Sequence, residues 1–587
     1  MVLIFFIFFL IFPQDWENFE EALSLENQNI EGAIEIYKGL VQRSDPIGIL
    51  ANYKLAILDD KNSFQWFLNL SKKNPQKKML EEIFEILVDK KNKNAIENYE
   101  KIKKKFSLKF RKKIEEKIFL SMYENTKDKI GLLKKAIKEN QKSAIALSKL
   151  ILKDEIKINK EILRDLFKIG LNLRDLEFCQ SLLDKDIFKD KLNEKEIFLL
   201  GRFYFFKKDY KESLKYFDLL KDEKSFFQKA RVYLFLNEEE KAIETLKNIK
   251  NELFNEAQYL ILRINLKNGE LEKAEEVLKK IKRKQIKNQA TLNLAIHYNF
   301  YGKKEKAKFL LGSLKENKEV FFWKRRIEEN YEVKLDADYS PFNFFYINKF
   351  PEFLKSDPPL NLDFKPVNFP QFLIYKGYFK EALFFSDTLK FPPKELGKLY
   401  ILQKRYNDAI RTIYPEASKF LKMDERNWNP EVLRIYFPKA YEDNAKKLCK
   451  EYGIPLNLFW AIMRQESLFE EEAISEQGAL GIMQVLPQNF LRYGEDLENP
   501  FDIEKNMKIS LKYLKELKEN FGDWIYVISA YNAGEDAVSL WLKDPITVDL
   551  PSFYSTIPYF ETKNYVKNVL YNWMIYKILY GEEDEKF

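Results

Sequence analysis

The chain has 587 residues, 45% apolar and 32% charged, with a formal net charge of +8. That length excludes a single hydrophobic core, since cores stop growing near ~250–300 residues, so several domains or a repeat array are required. With 18 glycines and 20 prolines against abundant Lys, Glu, Leu and Ile, the composition predicts an all-α chain of long helices.

The chemical inventory excludes more. His297 is the one histidine, and Cys179 and Cys449 are the two cysteines. A Ser–His or Cys–His nucleophile and a zinc or iron ligand set both lack material, and no spacing points to a disulfide framework or a cofactor. Acid/base chemistry therefore falls to carboxylates. The small positive charge, spread as Lys among Glu, reads as solvated helix faces with at most a weak attraction for an anionic polymer such as bacterial wall material. Nothing in it marks a nucleic-acid partner.

In chain order, residues 1–13 begin with MVLIFFIFFLIF and break at Pro13. The run has the length of a signal h-region and falls short of the roughly 20 residues that span a bilayer. It predicts export to the periplasm or cell envelope, with membrane association at most peripheral. No Lys or Arg precedes it and no A-x-A-like site follows. A retained lipid-facing anchor and a buried core helix stay open beside the signal reading.

Residues 14–330 read as a helical repeat solenoid. Between about 195 and 313 a small residue is followed four positions later by a bulky one at Ser213/Phe217, Ala242/Leu246, Ala274/Leu278 and Ala307/Leu311, at spacings of 29, 32 and 33. Twelve residues before each small position stand Gly201, Ala230, Leu262 and Ala295, and three further on Tyr204, Tyr233, Asn265 and Tyr298. This is the tetratricopeptide-like pattern that lets one helix pack closely on the next. A plain α-bundle is the competing reading. The pattern residues pack, so any protein partner of the repeats goes unnamed by them. Residues 331–373 carry Pro341, Pro351, Pro358, Pro359, Pro366 and Pro370 and are expected to be an extended crossing segment. Further repeats and a linker fill 374–430, with Gly397 and Ala409 a clear late copy.

Residues 431–587 read as a separate domain with its own core. The apolar spacing at Leu456, Phe459, Trp460 and Met463 predicts a helix ending near Glu466, whose carboxylate begins on or beside the apolar face. Alone, such a glutamate is usually solvated. The following residues are Ser467, then Ser475, Gly478, Ala479, Gly481, Met483, Gln484 and Pro487. This ES followed by S-x-x-G-A-x-G-x-M-Q-x-x-P resembles the catalytic domain of the soluble lytic transglycosylases. Asn499-Pro500, Asn506-Met507, Tyr513-Leu514, Ser529–Gly534, Ile557-Pro558, Glu561-Thr562 and Tyr565-Val566 continue the likeness in order.

The resemblance implies a lysozyme-like (goose-type) α-helical catalytic domain behind a helical superhelix. It also implies cleavage of the MurNAc–GlcNAc β-1,4 bond of peptidoglycan glycan strands with 1,6-anhydro ends. Glu466 is then the single acid/base, without metal or cofactor, and Ser475, Gly478, Met483, Gln484, Tyr531, Asn532 and Glu561 line the saccharide cleft. Each of these has a structural competitor: Ser475 and Asn532 as caps, Gly478 as a turn, Met483 as core. Departures stand at Glu470 and Glu471 for a usual Asn-Pro, at Ser510 for a frequent Gly, at Glu535–Ala537 for Pro-Gly-Arg and at Lys563 for an Arg. Two other readings remain: a wall-associated scaffold with a degenerate glycan-holding domain, and a true hydrolytic muramidase using a carboxylate of Glu470–Glu472.

Overall fold

A computed structural model describes residues 13–139, 141–189, 191–328, 366–423, 427–475, 477–494 and 499–581. The apolar run at 1–12 and the proline-rich stretch 329–365 lie outside them. Among the described residues all regular structure is helical, apart from isolated bridges joining Ile474 to Leu480 and Leu480 to Val485.

The repeat signal corresponds to four helical hairpins: Glu194–Phe206 with Tyr210–Phe217, Glu223–Phe235 with Glu239–Leu246, Phe254–Lys267 with Leu271–Lys280, and Lys284–Phe300 with Lys304–Gly312. Each turns on one residue with a left-handed backbone, Lys208, Asn237, Gly269 or Gly302. The small residue follows each turn within the second helix and is wholly buried. Close approach is the reason for its size. A Cβ on Gly201 would stand 2.7 Å from the Phe217 ring, and Ser213 Oγ donates to the Gly201 carbonyl at 2.8 Å. The same geometry occurs once more upstream, where Arg174 makes the left-handed turn and buried Cys179 fills the small position.

The chain divides into two compact units. One runs up to Ile169 and takes in the segment ending at Lys419. Within it Phe19 packs edge-on against Phe369 at 5.2 Å, and buried Lys54 is held between Glu26 at 3.2 Å and Glu381 at 2.9 Å. Of the stretch expected to be extended, the described end is instead a short helix, Phe369–Tyr375. Pro370 sits in its first turn, where a missing N–H breaks no hydrogen bond.

The other unit begins at Gly170 and resumes at Phe420, so these repeats and the C-terminal helices share one body. The helices expected to form a domain of their own thus pack against the repeats. Trp323 Nε1 donates to Ser555 Oγ at 2.9 Å, and Gln289 Nε2 donates to the Ser555 carbonyl at 2.6 Å. His297 and Asp544 meet at 3.1 Å in the interior, and Arg326 forks onto Asp549 at 2.8 and 2.9 Å. These are polar matches, buried or half-buried, between segments hundreds of residues apart. They leave no periodic trace in the sequence.

Candidate active site

Glu466 stands at the end of the helix Leu456–Ser467, which is apolar nearly all round and buried from Leu456 to Arg464. The helix lies along the C-terminal helix Phe560–Tyr580. Trp460 stacks on Tyr576 at 5.7 Å, and its indole N–H donates to the Ala440 carbonyl at 2.9 Å. Buried Arg464 donates to the Tyr436 carbonyl at 2.5 Å and lies 4.3 and 4.2 Å over the Tyr436 and Phe437 rings. Two residues along a helix turn the side chain by about 200°. Arg464 therefore locks the rotation that puts Glu466 on the opposite face.

Beyond Ser467 the helix cannot continue, because Leu468 and Phe469 both take left-handed backbones, at φ 52° and 63°. Such angles in bulky residues are strained and persist only where the surroundings fix them. Here Ser467 Oγ donates to the Ile482 carbonyl at 2.8 Å and ties the helix end to the following loop.

That loop is built from the motif residues. Ser475 Oγ accepts from the Ala479 amide at 3.0 Å and closes a tight turn over Gly478. Gly478 and Gly481 have φ of +80° and +76°; a Cβ on Gly481 would lie 2.4 Å from Asn506 Nδ2. Gln484, also left-handed, donates from Nε2 to the carbonyls of Ala473 at 3.0 Å and Gly481 at 2.8 Å. Asn506, on the helix Ile503–Phe521 and fully buried, is the clamp. Its Oδ1 accepts from the Met483 amide at 2.9 Å, while its Nδ2 donates to the carbonyls of Leu480 at 2.9 Å and Pro500 at 3.0 Å.

Two phenols flank the carboxyl. Tyr565 donates to Glu466 Oε1 at 2.5 Å. Tyr531 donates to the Met483 carbonyl at 2.8 Å; its one proton thus used, it accepts from Ser510 Oγ at 2.9 Å. Burial, and then the nearby Glu466 charge, hold both phenols well above their ordinary pKa, so they are neutral donors. Burial pushes Glu466 up to about 8, against the Tyr565 hydrogen bond, which favours the carboxylate. The Glu466 side chain keeps a partial opening to solvent. A buried carboxyl still protonated near neutral pH, yet reachable, has the properties that general acid chemistry requires.

Among the residues singled out from sequence, Met483 and Tyr531 meet beside Glu466. Met483 does so through its backbone, since its side chain is entirely enclosed. Ser475, Gly478 and Gln484 shape the loop, their polar groups directed to its own backbone. Asn532 Oδ1 accepts from buried Thr562 at 2.7 Å, which leaves its amide nitrogen uncommitted by that bond. Glu561 is exposed on the first turn of the C-terminal helix, one turn before Tyr565. Tyr565 and Asn506 were assigned no role from the sequence. Both stood in the motif tracts, which was the available signal.

The departures have local partners. Glu471 accepts from Tyr441 at 2.6 Å, Ser510 serves Tyr531, and Asp536 pairs with the hairpin-turn Lys208 at 2.9 Å. Lys563 is buried against Glu319 at 2.8 Å and donates to Gln289 Oε1 at 3.0 Å and the Ser555 carbonyl at 3.1 Å.

Residues 443–549 match the transglycosylase SLT domain, and residues 556–585 match the soluble lytic transglycosylase helical domain. The chain is 34% identical over 157 residues to the soluble lytic murein transglycosylase of Escherichia coli (strain K12), covering 25% of this chain and 24% of that protein. It is 32% identical over 117 residues to the membrane-bound lytic murein transglycosylase C of Haemophilus ducreyi, covering 17% and 32%. The match thus spans about a quarter to a third of the length of these curated relatives. Among solved structures, the lytic transglycosylase Slt of Pseudomonas aeruginosa aligns over 95% of this chain and 96% of its own at 16% identity and a TM-score of 0.43. The C-terminal part of the chain, built around Glu466, belongs to the transglycosylase SLT domain family.

Proposed function

We propose that the chain is a peptidoglycan lytic transglycosylase. In this reading it cleaves the MurNAc–GlcNAc β-1,4 bond and closes the muramoyl product to a 1,6-anhydro sugar, with Glu466 acting first as acid and then as base. The observation that carries this is the state of Glu466. Its carboxyl is raised to about 8 by burial, and among the described residues no second carboxylate acts on it. A two-carboxylate hydrolase needs a partner ~5–9.5 Å from the acid. Glu471, the nearest sequence candidate with a defined contact, is engaged by Tyr441.

The chemistry then closes on one residue. Glu466 gives its proton to the leaving GlcNAc oxygen as the bond to the MurNAc anomeric carbon breaks, and the substrate's 2-acetamido group stabilises the positive charge there. The Glu466 carboxylate next takes the proton of the sugar's own 6-hydroxyl as O6 bonds to the anomeric carbon, which returns the acid to its starting form. An intramolecular nucleophile has an effective concentration that water does not match. In this reading the loop of Ser475, Gly478 and Gln484, the Met483 backbone, Tyr531, Asn532 and Glu561 line the saccharide cleft. The polymer places the protein outside the cytoplasmic membrane; among the described residues no helix is long and apolar enough to cross one.

Digestion of purified sacculi and weighing of the fragments tests the proposal, because an anhydro end is one water lighter than a reducing end. Anhydro ends are expected. Turnover by Glu466→Gln should fall at least ~10²-fold, the scale of general acid catalysis. Predominantly reducing ends, or an active Glu466→Gln protein, would overturn it; a chain that clears no sacculus at all would favour the scaffold.

A further inference from the structure

Three half-buried arginines gather beside the Gly478 turn, in the unit that holds Glu466. Arg174 makes the left-handed turn before the helix Leu176–Leu183, while Arg202 and Arg231 follow the small residues Gly201 and Ala230 in the first helices of the next two hairpins. Arg202 and Arg231 thus occupy one register of successive repeats and fall on one face. Aromatic rings tie the three together. Arg174 lies 3.2 Å over the Phe206 ring and Arg202 lies 5.4 Å from the same ring; Arg231 lies 5.2 Å from Phe205, whose ring is 5.7 Å from that of Phe206. Leu173, next to Arg174, packs so closely on the motif loop that a Cβ on Gly478 would stand 2.8 Å from its Cδ2.

The chain gives this cluster no counter-charge. Among the described residues none of the three makes an ion pair, and Arg231 donates to the neutral Gln228 Oε1 at 3.1 Å. The carboxylates of the neighbouring turns are held elsewhere. Asp175 accepts the Phe178 amide at 3.0 Å, Asp209 accepts the Glu212 amide at 3.1 Å, Asp536 pairs with Lys208 at 2.9 Å, and Glu239 pairs with Lys267. Burial, and then the two neighbouring guanidiniums, push Arg174 down to about 10; burial, and then Arg231, lower Arg202. Arg174 Nη1 is enclosed and donates no hydrogen bond. Stacking uses the faces of a guanidinium and leaves its N–H edges, so the cluster has donors in surplus and no acceptor to match. Like charges partly desolvated together repel until an anion joins them.

We propose that Arg174, Arg202 and Arg231 bind the free carboxylates of the peptide that the glycan's muramoyl residues carry. The inference rests on the transglycosylase reading of Glu466, whose substrate bears such a peptide on the lactyl ether of each muramoyl sugar. The Gly478 turn joins the loop beside Glu466 to the face that carries the arginines, so a peptide leaving a sugar at that loop meets them. A guanidinium fork fits a planar carboxylate with two parallel hydrogen bonds, which a lysine does not reproduce.

Two measurements test this. The full chain is first given peptide-bearing glycan strands and the same strands stripped of peptide by an amidase. The ratio of kcat/KM for bearing over stripped strands should exceed one. Arg202→Gln should lower that ratio roughly 10- to 100-fold, chiefly through KM, and Arg202→Lys should keep part of it. The second measurement needs no turnover and therefore stands apart from the role of Glu466. The full chain is titrated calorimetrically with the tripeptide L-alanyl-γ-D-glutamyl-L-lysine, with its carboxamide form, and with inorganic phosphate. The tripeptide should bind, the carboxamide should bind at least 10-fold more weakly, and the Arg174→Gln, Arg202→Gln protein should lose the difference while melting no lower than wild type. A chain that binds the tripeptide in this way yet cleaves neither strand would keep the arginine site and lose the transglycosylase reading. A ratio unchanged by Arg202→Gln, equal binding of the carboxamide, or phosphate bound as tightly as the tripeptide would overturn the proposal.

Discussion

The Tyr565 hydroxyl donates to Glu466 Oε1 at 2.5 Å from the same helix on which Thr562, one turn earlier, holds Asn532. One helix thus positions both the Glu466 carboxyl and the Asn532 amide. The hydrogen bond favours the ionised carboxyl, while burial opposes it and wins, leaving the group near 8. Tyr565→Phe removes the favourable part, so the carboxyl rises further. The alkaline limb of kcat/KM, where Glu466 loses its proton, should move to higher pH. The maximal rate should fall about 10- to 100-fold, because a hydrogen bond to a charged group is worth about 1.5–3 kcal/mol when the carboxylate forms. A pH–rate profile separates the two effects. A rate loss with an unmoved limb would mean Tyr565 only packs.

The raised carboxyl also has a stability cost with a definite sign. In the unfolded chain Glu466 ionises near ~4.5, whereas in the folded protein it stays protonated until about 8. Between those values the folded state binds the extra proton, so its stability relative to the unfolded chain falls as pH rises through the window and levels off above it. Each unit of difference is worth ~1.4 kcal/mol, and the partial opening of the site keeps the total to a few kcal/mol. Glu466→Gln, which cannot ionise, should unfold at nearly the wild-type temperature at pH 5 and at a higher one at pH 8. Calorimetry at the two pH values checks this; equal differences at both would mean the carboxyl is not perturbed in the fold.

Asn506 spans the loop beside the acid with three hydrogen bonds, to the Met483 amide and to the carbonyls of Leu480 and Pro500. Asn506→Ala leaves buried backbone groups unpaired, each worth ~1–3 kcal/mol. Asn506→Asp keeps the acceptor but loses both donated bonds. The expected order of stability is wild type, then Ala, then Asp, because the Asp carboxylate sets a buried acceptor against the Leu480 and Pro500 carbonyls; the Ala protein should be down by about 3 kcal/mol or more in denaturant unfolding. Turnover should fall in the same order, because the Met483 carbonyl that holds Tyr531 belongs to the clamped loop.

Helices were legible wherever packing repeats. Gly201, Ser213 and Phe217 announce a hairpin because close approach restricts residue size at fixed spacing, and that restriction shows in sequence. The carboxyl was legible through its motif. Its surroundings were less so. Tyr565 looks like any aromatic on a buried helix until Glu466 is seen within hydrogen-bond reach, and Ser510 acquires meaning only from the Tyr531 hydroxyl. The joining of repeats and C-terminal helices into one unit was illegible for the same reason. Pairs such as His297–Asp544 and Trp323–Ser555 are set by long-range contact, and neither member is unusual in its own segment.

That joining supports a last prediction, made far from the cleft. Glu319, on the helix Lys318–Glu328 that follows the repeats, lies 2.8 Å from the Lys563 ammonium; the contact is an ion pair rather than an aligned hydrogen bond. Lys563 is nearly buried and adjoins Thr562, which holds Asn532. Removing one partner of a buried pair strands the other charge and costs about 3–5 kcal/mol, while replacing both by apolar groups of similar size is often neutral. The 19% side-chain exposure of Glu319 puts this pair at the lower end of that range. Glu319→Gln should therefore lower stability by about 3 kcal/mol and raise KM more than it lowers kcat, since the disturbance reaches Asn532 before Glu466. The double variant Glu319→Leu with Lys563→Met should recover most of the stability. By the same reasoning, a fragment from residue 425 onward exposes the Trp541–Thr556 surface that the repeats cover. It should unfold at a lower temperature than the whole chain and bind a hydrophobic dye. Glu319→Gln with wild-type stability and KM, or a fragment as stable as the full protein, would show that the repeats merely adjoin the site.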